Sequence, residues 1–249
     1  MIKAEFMIEA QSNSREAVTG ALRELEEKIR ANTEVRVRRV KYGDVEKQEE
    51  FYSGIAEFEL EFDSLRGYLN AAIEYGPSAI YVLSPEKLVL STKELLLTLG
   101  EIIKVTKKFY ERYRVGFEFE PEEEVSIGLD DYEIEELLKE GALHVKLVAE
   151  IMAESEDEAV KLFVGDIGDE APVNKVKSTF NRESGAYLVA VEAFPYDARA
   201  LFSIALRHVP VLIEILEPEE VTLSMLDLQD IALDLAGIFF EASQMLALK

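Results

Sequence analysis

Leu83-Ser84-Pro85-Glu86-Lys87-Leu88-Val89-Leu90-Ser91 returns as Leu216-Glu217-Pro218-Glu219-Glu220-Val221-Thr222-Leu223-Ser224, 133 residues later. The shared pattern is Leu-x-Pro-Glu-x-(Leu/Val)-x-Leu-Ser. The same offset, without a gap, carries Glu59 onto Glu192, Arg66 onto Arg199, Ala72 onto Ala205 and Pro77 onto Pro210. Chance rarely keeps a register that long. The sequence therefore reads as a tandem duplication, which any fold assignment has to respect.

Outward from the repeat, residues 2–10 alternate, with Ile2, Ala4, Phe6, Ile8 and Ala10 on one side, the pattern of a half-buried strand. Asn13 and Glu16 stand at capping-box spacing before a helix through Val18, Leu22, Leu25 and Ile29. Val35 and Val37 open a second strand, residues 42–50 make a charged hairpin tip, and residues 55–62 form a third strand. Asp63 or Ser64 starts a helix that Gly76-Pro77 stops, and residues 79–83 make a fourth strand. Strand, helix, strand, strand, helix, strand is the split βαβ or ferredoxin-like order. Ser91 and Glu94 then cap an added helix.

The second copy repeats the plan, with strands at 145–153, 187–194 and 211–216 and helices begun by Ser155, Ala198 and Ser224. The expected fold class is α+β, a tandem duplication of a ferredoxin-like unit, each a four-stranded antiparallel sheet with an added C-terminal helix. The expected divisions are residues 1–109, an acidic structured linker at 110–143, and residues 144–249. Between Glu118 and Glu140 the linker holds eleven acidic residues and one lysine. Val115 to Glu120 alternates like a short strand, and Asp130 to Leu138 reads as a helix whose first-turn acids suit the dipole.

Charge excludes several roles. With 27 basic and 50 acidic residues the net charge is −23, a field that repels phosphate backbones and anionic membranes. No nucleic-acid or membrane partner is expected, whereas a basic protein suits that field. Cysteine is absent, which removes disulfides, thiolate metal sites and cysteine nucleophiles together. The first residues lack the apolar core of a signal peptide, and no apolar run is long enough to cross a bilayer, so a cytoplasmic location is expected. Charged residues at 31%, with neither Cys nor Trp, point toward a thermophile.

Catalytic motifs are missing. The sequence contains no Gly-x-Gly-x-x-Gly, Walker loop, Gly-x-Ser-x-Gly or His-Glu-x-x-His, so no cofactor and no metal is assigned. Glu118, Glu120, Glu122, Glu123 and Glu124 lack the loop that fixes calcium geometry and read as a solvated run. His144 and His208 have no carboxylate at ligand spacing.

The sheet faces turned away from the helices carry more information. In the first copy that face holds Lys3, Glu5, Glu57, Glu59 and Glu61 beside Arg36 and Arg38, a cross-strand ladder of opposite charges. In the second it holds Val148, Met152, Leu188, Ala190, Phe194, Leu212 and Leu216 among Lys146, Glu150, Glu192 and Glu214. So much exposed apolar surface calls for a cover: the first copy, the linker or a second chain. The expected function is a non-enzymatic interaction or assembly module that self-associates, as a dimer, through Val148, Met152, Leu188, Phe194, Leu212 and Leu216.

Two other classes remain open. The shape resembles the small-molecule-binding regulatory modules of the ACT class, in which ligands bind near loops such as residues 11–15 and 154–157 at paired-domain interfaces. That resemblance implies a sensor. An enzyme would use carboxylates such as Glu59 and Glu192 in a cleft between the repeats.

Overall fold

A computed structural model describes residues 1–113 and 124–247. The alternating stretch 115–120 and the acids Glu118, Glu120, Glu122 and Glu123 lie outside the described residues. The chain is a mixed α+β protein, with antiparallel sheets and, among the described residues, seven helices. By contact it divides into two compact units. One is Met1–Leu88 together with the segment from Thr222 onward; the other is Val89–Val221.

The first unit begins with β1 (Ile2–Ser12), α1 (Arg15–Ala31), β2 (Val35–Tyr42), β3 (Glu46–Gln48), β4 (Phe51–Phe62), α2 (Leu65–Tyr75) and β5 (Ala79–Ser84). The sheet order is β2-β4-β1-β5, with β3 a short partner to β4. Alternation decides the buried side: Ala4, Phe6 and Ile8 of β1 and Ala56, Phe58, Leu60 and Phe62 of β4 are all buried. Val18, Leu22 and Ile29 of α1 close over them. Phe6, Phe62 and Tyr68 form an aromatic cluster with centroids 5.4–6.0 Å apart, each pair adding about 0.5–1.5 kcal/mol beyond its area. The helix starts follow the capping rules with one displacement. Ser14, not Asn13, caps α1, its Oγ accepting from the Ala17 N–H at 3.1 Å. Ser64 caps α2 in the same way.

The second unit contains α3 (Thr92–Tyr113), α4 (Asp131–Glu140), β7 (His144–Ile151), α5 (Glu156–Gly168), β8 (Val173–Asn181), β9 (Ala186–Ala193), α6 (Ala198–His208) and β10 (Leu212–Glu217). Its sheet order is β10-β7-β9-β8. Counted within each unit, both sheets read 4-1-3-2. Val145, Leu147, Ala149 and Ile151 of β7 and Val189, Val191 and Ala193 of β9 face the core with Phe163, Leu201 and Phe202. Asp130 caps α4 with the reciprocal Glu133 bond of a capping box.

The chain passes between units within β6 (Lys87–Ser91) and again within β11 (Glu220–Ser224), after which α7 (Met225–Ala247) begins. The first unit is therefore assembled from two stretches of the sequence, and the second from one. The helix that ends the first half, α3, packs on α6 and β10 of the second unit, and α7 packs on α2 and β5 of the first. Two buried-side bonds fix these placements: Tyr68 Oη donates to the Leu228 carbonyl at 3.0 Å, and Tyr110 Oη to the Leu206 carbonyl at 3.2 Å. Burial pushes the Tyr110 hydroxyl up to about 12, so it stays a donor. The helix starts are tied by one bond used twice. The Thr92 N–H donates to the Glu219 carbonyl, and the Met225 N–H to the Glu86 carbonyl.

Positions 133 apart share detail down to the residue. α2 and α6, β5 and β10, β6 and β11, and the first residues of α3 and α7 coincide at that offset. Ser64 and Asp197 are both N-caps, and Gly76 and Val209 are both left-handed C-caps. The Ser84–Pro85 and Glu217–Pro218 peptide bonds are both cis.

Candidate interaction surface

The solvent side of the first sheet is a lattice of ion pairs. Register places Arg36, Glu61 and Lys3 in one row, Arg39, Glu59 and Glu5 in the next, and Lys41, Glu57 and Met7 in a third. Lys3 and Arg38 reach Glu61 at 3.0 and 2.6 Å, Arg39 reaches Glu5 and Glu59 at 3.2 and 3.4 Å, and Lys41 reaches Glu57 at 3.0 Å. Strict alternation would put Arg38 beyond Arg36 and leave Arg39 on the other side. Between Val37 and Arg39 the register shifts, so Arg39 and Lys41 join the face. Hydrogen bonds from Arg38 and Lys3 draw the Glu61 carboxyl down to about 2. Each cation here has an acid, and the surface is already satisfied by itself.

The corresponding side of the second sheet is built differently. Cα register gives one charged row, Glu214–Lys146–Glu192–Lys175, running across β10, β7, β9 and β8. Lys175 meets Glu192 at 3.0 Å and Lys146 meets Glu214 at 3.5 Å. Burial raises the Glu192 carboxyl, but bonds from Lys175 and Asn174 outweigh it and hold the group below its ordinary value. The next row reads Leu212–Val148–Ala190–Lys177, and the one after it Glu150–Leu188–Thr179. Val148 and Leu188 are half-buried, while Leu212 is 49% and Met152 72% exposed. Leu216, at 37%, sits where the register of β10 slips.

Phe194 is not on this surface. It is fully buried, stacked on the His144 ring with centroids 4.7 Å apart. Regular alternation ends with β9 at Ala193. The Phe194 N–H donates to the Pro172 carbonyl, and the ring lies shut from solvent against His144. Period two reaches Phe194 but does not tell that its ring is covered.

Tertiary structure supplies both histidines with carboxylates that linear spacing does not. His144 Nε2 lies 3.4 Å from Glu192, and His208 Nε2 lies 2.7 Å from Asp166. Arg207 joins the second group, reaching Asp166 at 3.0 Å and Glu170 at 2.9 Å. Burial raises the Asp166 carboxyl, yet His208 and Arg207 together keep it low. The His208 side chain is wholly shut from solvent, and its pairing with Asp166 ties α6 to α5. Glu59 and Glu192 are each paired with a cation, Arg39 at 3.4 Å and Lys175 at 3.0 Å. Among the described residues no group of three or more His, Asp or Glu is placed to hold a metal, and no helix is long and apolar enough to cross a membrane.

Comparison with known proteins agrees over nearly the whole chain. The model of the MJ0538 family matches residues 3–249. The uncharacterised protein MJ0538 of Methanocaldococcus jannaschii is 33% identical over 259 residues, which covers 98% of this chain and 97% of that protein. With match and coverage of that extent, this chain belongs to the MJ0538 family.

Proposed function

We propose that the chain is an assembly module, a tandem duplication of a ferredoxin-like unit that forms a homodimer through the solvent side of its second sheet. The duplication is supported by the 4-1-3-2 order of both sheets and by the coincidence of elements and caps at an offset of 133. One observation carries the assembly reading: the row Glu214–Lys146–Glu192–Lys175 is antisymmetric. A twofold axis parallel to the strands reverses the strand order of a facing sheet. Glu214 then opposes Lys175, and Lys146 opposes Glu192, in both directions. In the adjoining row Val148 opposes Ala190, and the stem of Lys177 covers Leu212. Aligned sheets pack about 10 Å apart, a gap these side chains fill. A twofold contact needs a self-complementary patch, and this row has that property. The satisfied lattice of the first sheet lacks such an unpaired apolar strip.

Light scattering tests the proposal. The expected species is a dimer that Leu188→Glu and Leu212→Glu convert to monomer with the melting temperature of the chain preserved. Lys146→Glu puts like charges opposite each other and weakens association at least tenfold, which corresponds to about 1.4 kcal/mol. A parent protein monomeric at every concentration rules the proposal out.

A further inference from the structure

A cavity of about 670 Å³ opens in the first unit between the end of β1, the turn at 76–78 and one side of α7. Volumes of that order accept whole small molecules. Its walls divide by chemistry. Leu233, Ala236 and Phe240 of α7 and Pro77 of the turn are apolar, and Glu9 and Gln11 supply the polar end. The turn is fixed in place, since both the N–H and the hydroxyl of Ser78 donate to the Met7 carbonyl.

Glu9 is prepared for a partner that none of the described residues supplies. The Ser53 hydroxyl donates to its Oε1 at 2.6 Å and the Gln11 amide to the same oxygen at 2.9 Å. Those bonds orient the carboxylate and hold its pKa below the ordinary value, so it is ionised at neutral pH. Oε2 accepts no hydrogen bond from the described residues, and none of their lysines or arginines pairs with Glu9. This contrasts with four other acids of β1 and β4, Glu5, Glu57, Glu59 and Glu61, which all have cations. A net charge of −23 further concentrates cations and repels anions at the cavity mouth.

We propose that this cavity binds an organic cation, an ammonium or guanidinium group carried on an apolar body, with the charge on Glu9 Oε2 and the body against Leu233, Ala236 and Phe240. An ion pair at the polar end and apolar burial at the other require both parts in one molecule. A bare metal ion lacks the second part, and a neutral hydrocarbon lacks the first. The site belongs to one unit and does not depend on the dimer.

Three probes sharing one body separate the contributions: phenethylamine, 2-phenylethanol and phenylacetate, each titrated by calorimetry and by amide NMR. The amine is expected to bind saturably and shift the Gln11, Ser78 and Gly237 amides, the alcohol at least tenfold more weakly, and the carboxylate not at all. Glu9→Gln keeps the shape and the Ser53 bond and is expected to weaken the amine at least tenfold. Gly237→Leu fills the space: a Cβ there meets nothing within 4 Å, so the helix tolerates it while the ligand loses its seat. Retained melting temperature in both variants separates lost binding from lost folding. No saturable binding of the amine, equal binding of all three probes, or undiminished binding by both variants overturns the proposal.

Discussion

Three cations converge on one carboxylate at Glu61, whose side chain is only 3% exposed. Bonds from Arg38 and Lys3 bring its pKa from an ordinary 4.5 to about 2. Between those values the unfolded chain takes up a proton that the native state refuses. The stabilisation is therefore complete above about pH 4.5 and disappears as the pH falls toward about 2. Urea unfolding of Glu61→Gln should show a shallower loss of stability over that acid window than the parent; equal slopes would remove Glu61 from the account. A second residue-scale prediction uses the repeat as its own control. Gly76 and Val209 occupy the same C-cap, at φ 53° and 45°, each N–H bonded at 3.0 Å to the carbonyl four residues back. A left-handed β-branched residue costs on the order of 1–3 kcal/mol. Gly76→Val should lose about that much, and Val209→Gly should gain up to about 1 kcal/mol after the entropy of the added glycine. Chemical denaturation of the two variants decides it, and a loss in both would contradict the strain assigned to Val209.

At the scale of elements, glycines separate packing from propensity. Gly54 lets α1 lie close on β4: a Cβ built there falls 2.9 Å from Val18 Cγ1 and 3.1 Å from Val45 Cγ2. Both neighbours are stiff branched side chains, so Gly54→Val should cost about 1–3 kcal/mol by overpacking. Gly20 in α1 and Gly100 in α3 have nothing within 4 Å of an added Cβ. There Gly→Ala should stabilise by roughly 0.5–1 kcal/mol each, because only backbone entropy changes. Thermal melts of the three variants should split two against one. Gly54 lies one residue before the strand expected at 55–62, within a β4 that starts at Phe51, and nothing in its neighbours Ser53 and Ile55 announced an approaching helix. Caps were easier to read, since Ser91 with Glu94 and Ser224 with Asp227 act within three residues of themselves.

At the scale of the whole molecule, each unit is completed by a helix from the other half of the sequence. Residues 1–113 made alone would lack α7 and leave Tyr68 without the Leu228 carbonyl; residues 124–249 alone would lack α3 and bare the apolar side of α7 at Leu228, Ile231 and Leu235. The two fragments should aggregate separately and, when co-expressed, purify as a one-to-one complex by size-exclusion light scattering. A cooperative melt from either fragment by itself would show that the exchanged helix is dispensable.

Local chemistry wrote most of the secondary structure into the sequence, because alternation, capping and turn residues act over a few positions. The charged ladder on the first sheet followed from the same period. Everything that depended on a distant partner did not: the slip at Arg38 that brings Arg39 across, the burial of Phe194 against His144, the meeting of Asp166 with His208, and the cavity between β1 and α7. The exchange of α3 and α7 belongs with these. A helix with one apolar side is equally content on either of two similar sheets as far as its own residues show, and only the assembled chain selects which sheet buries it.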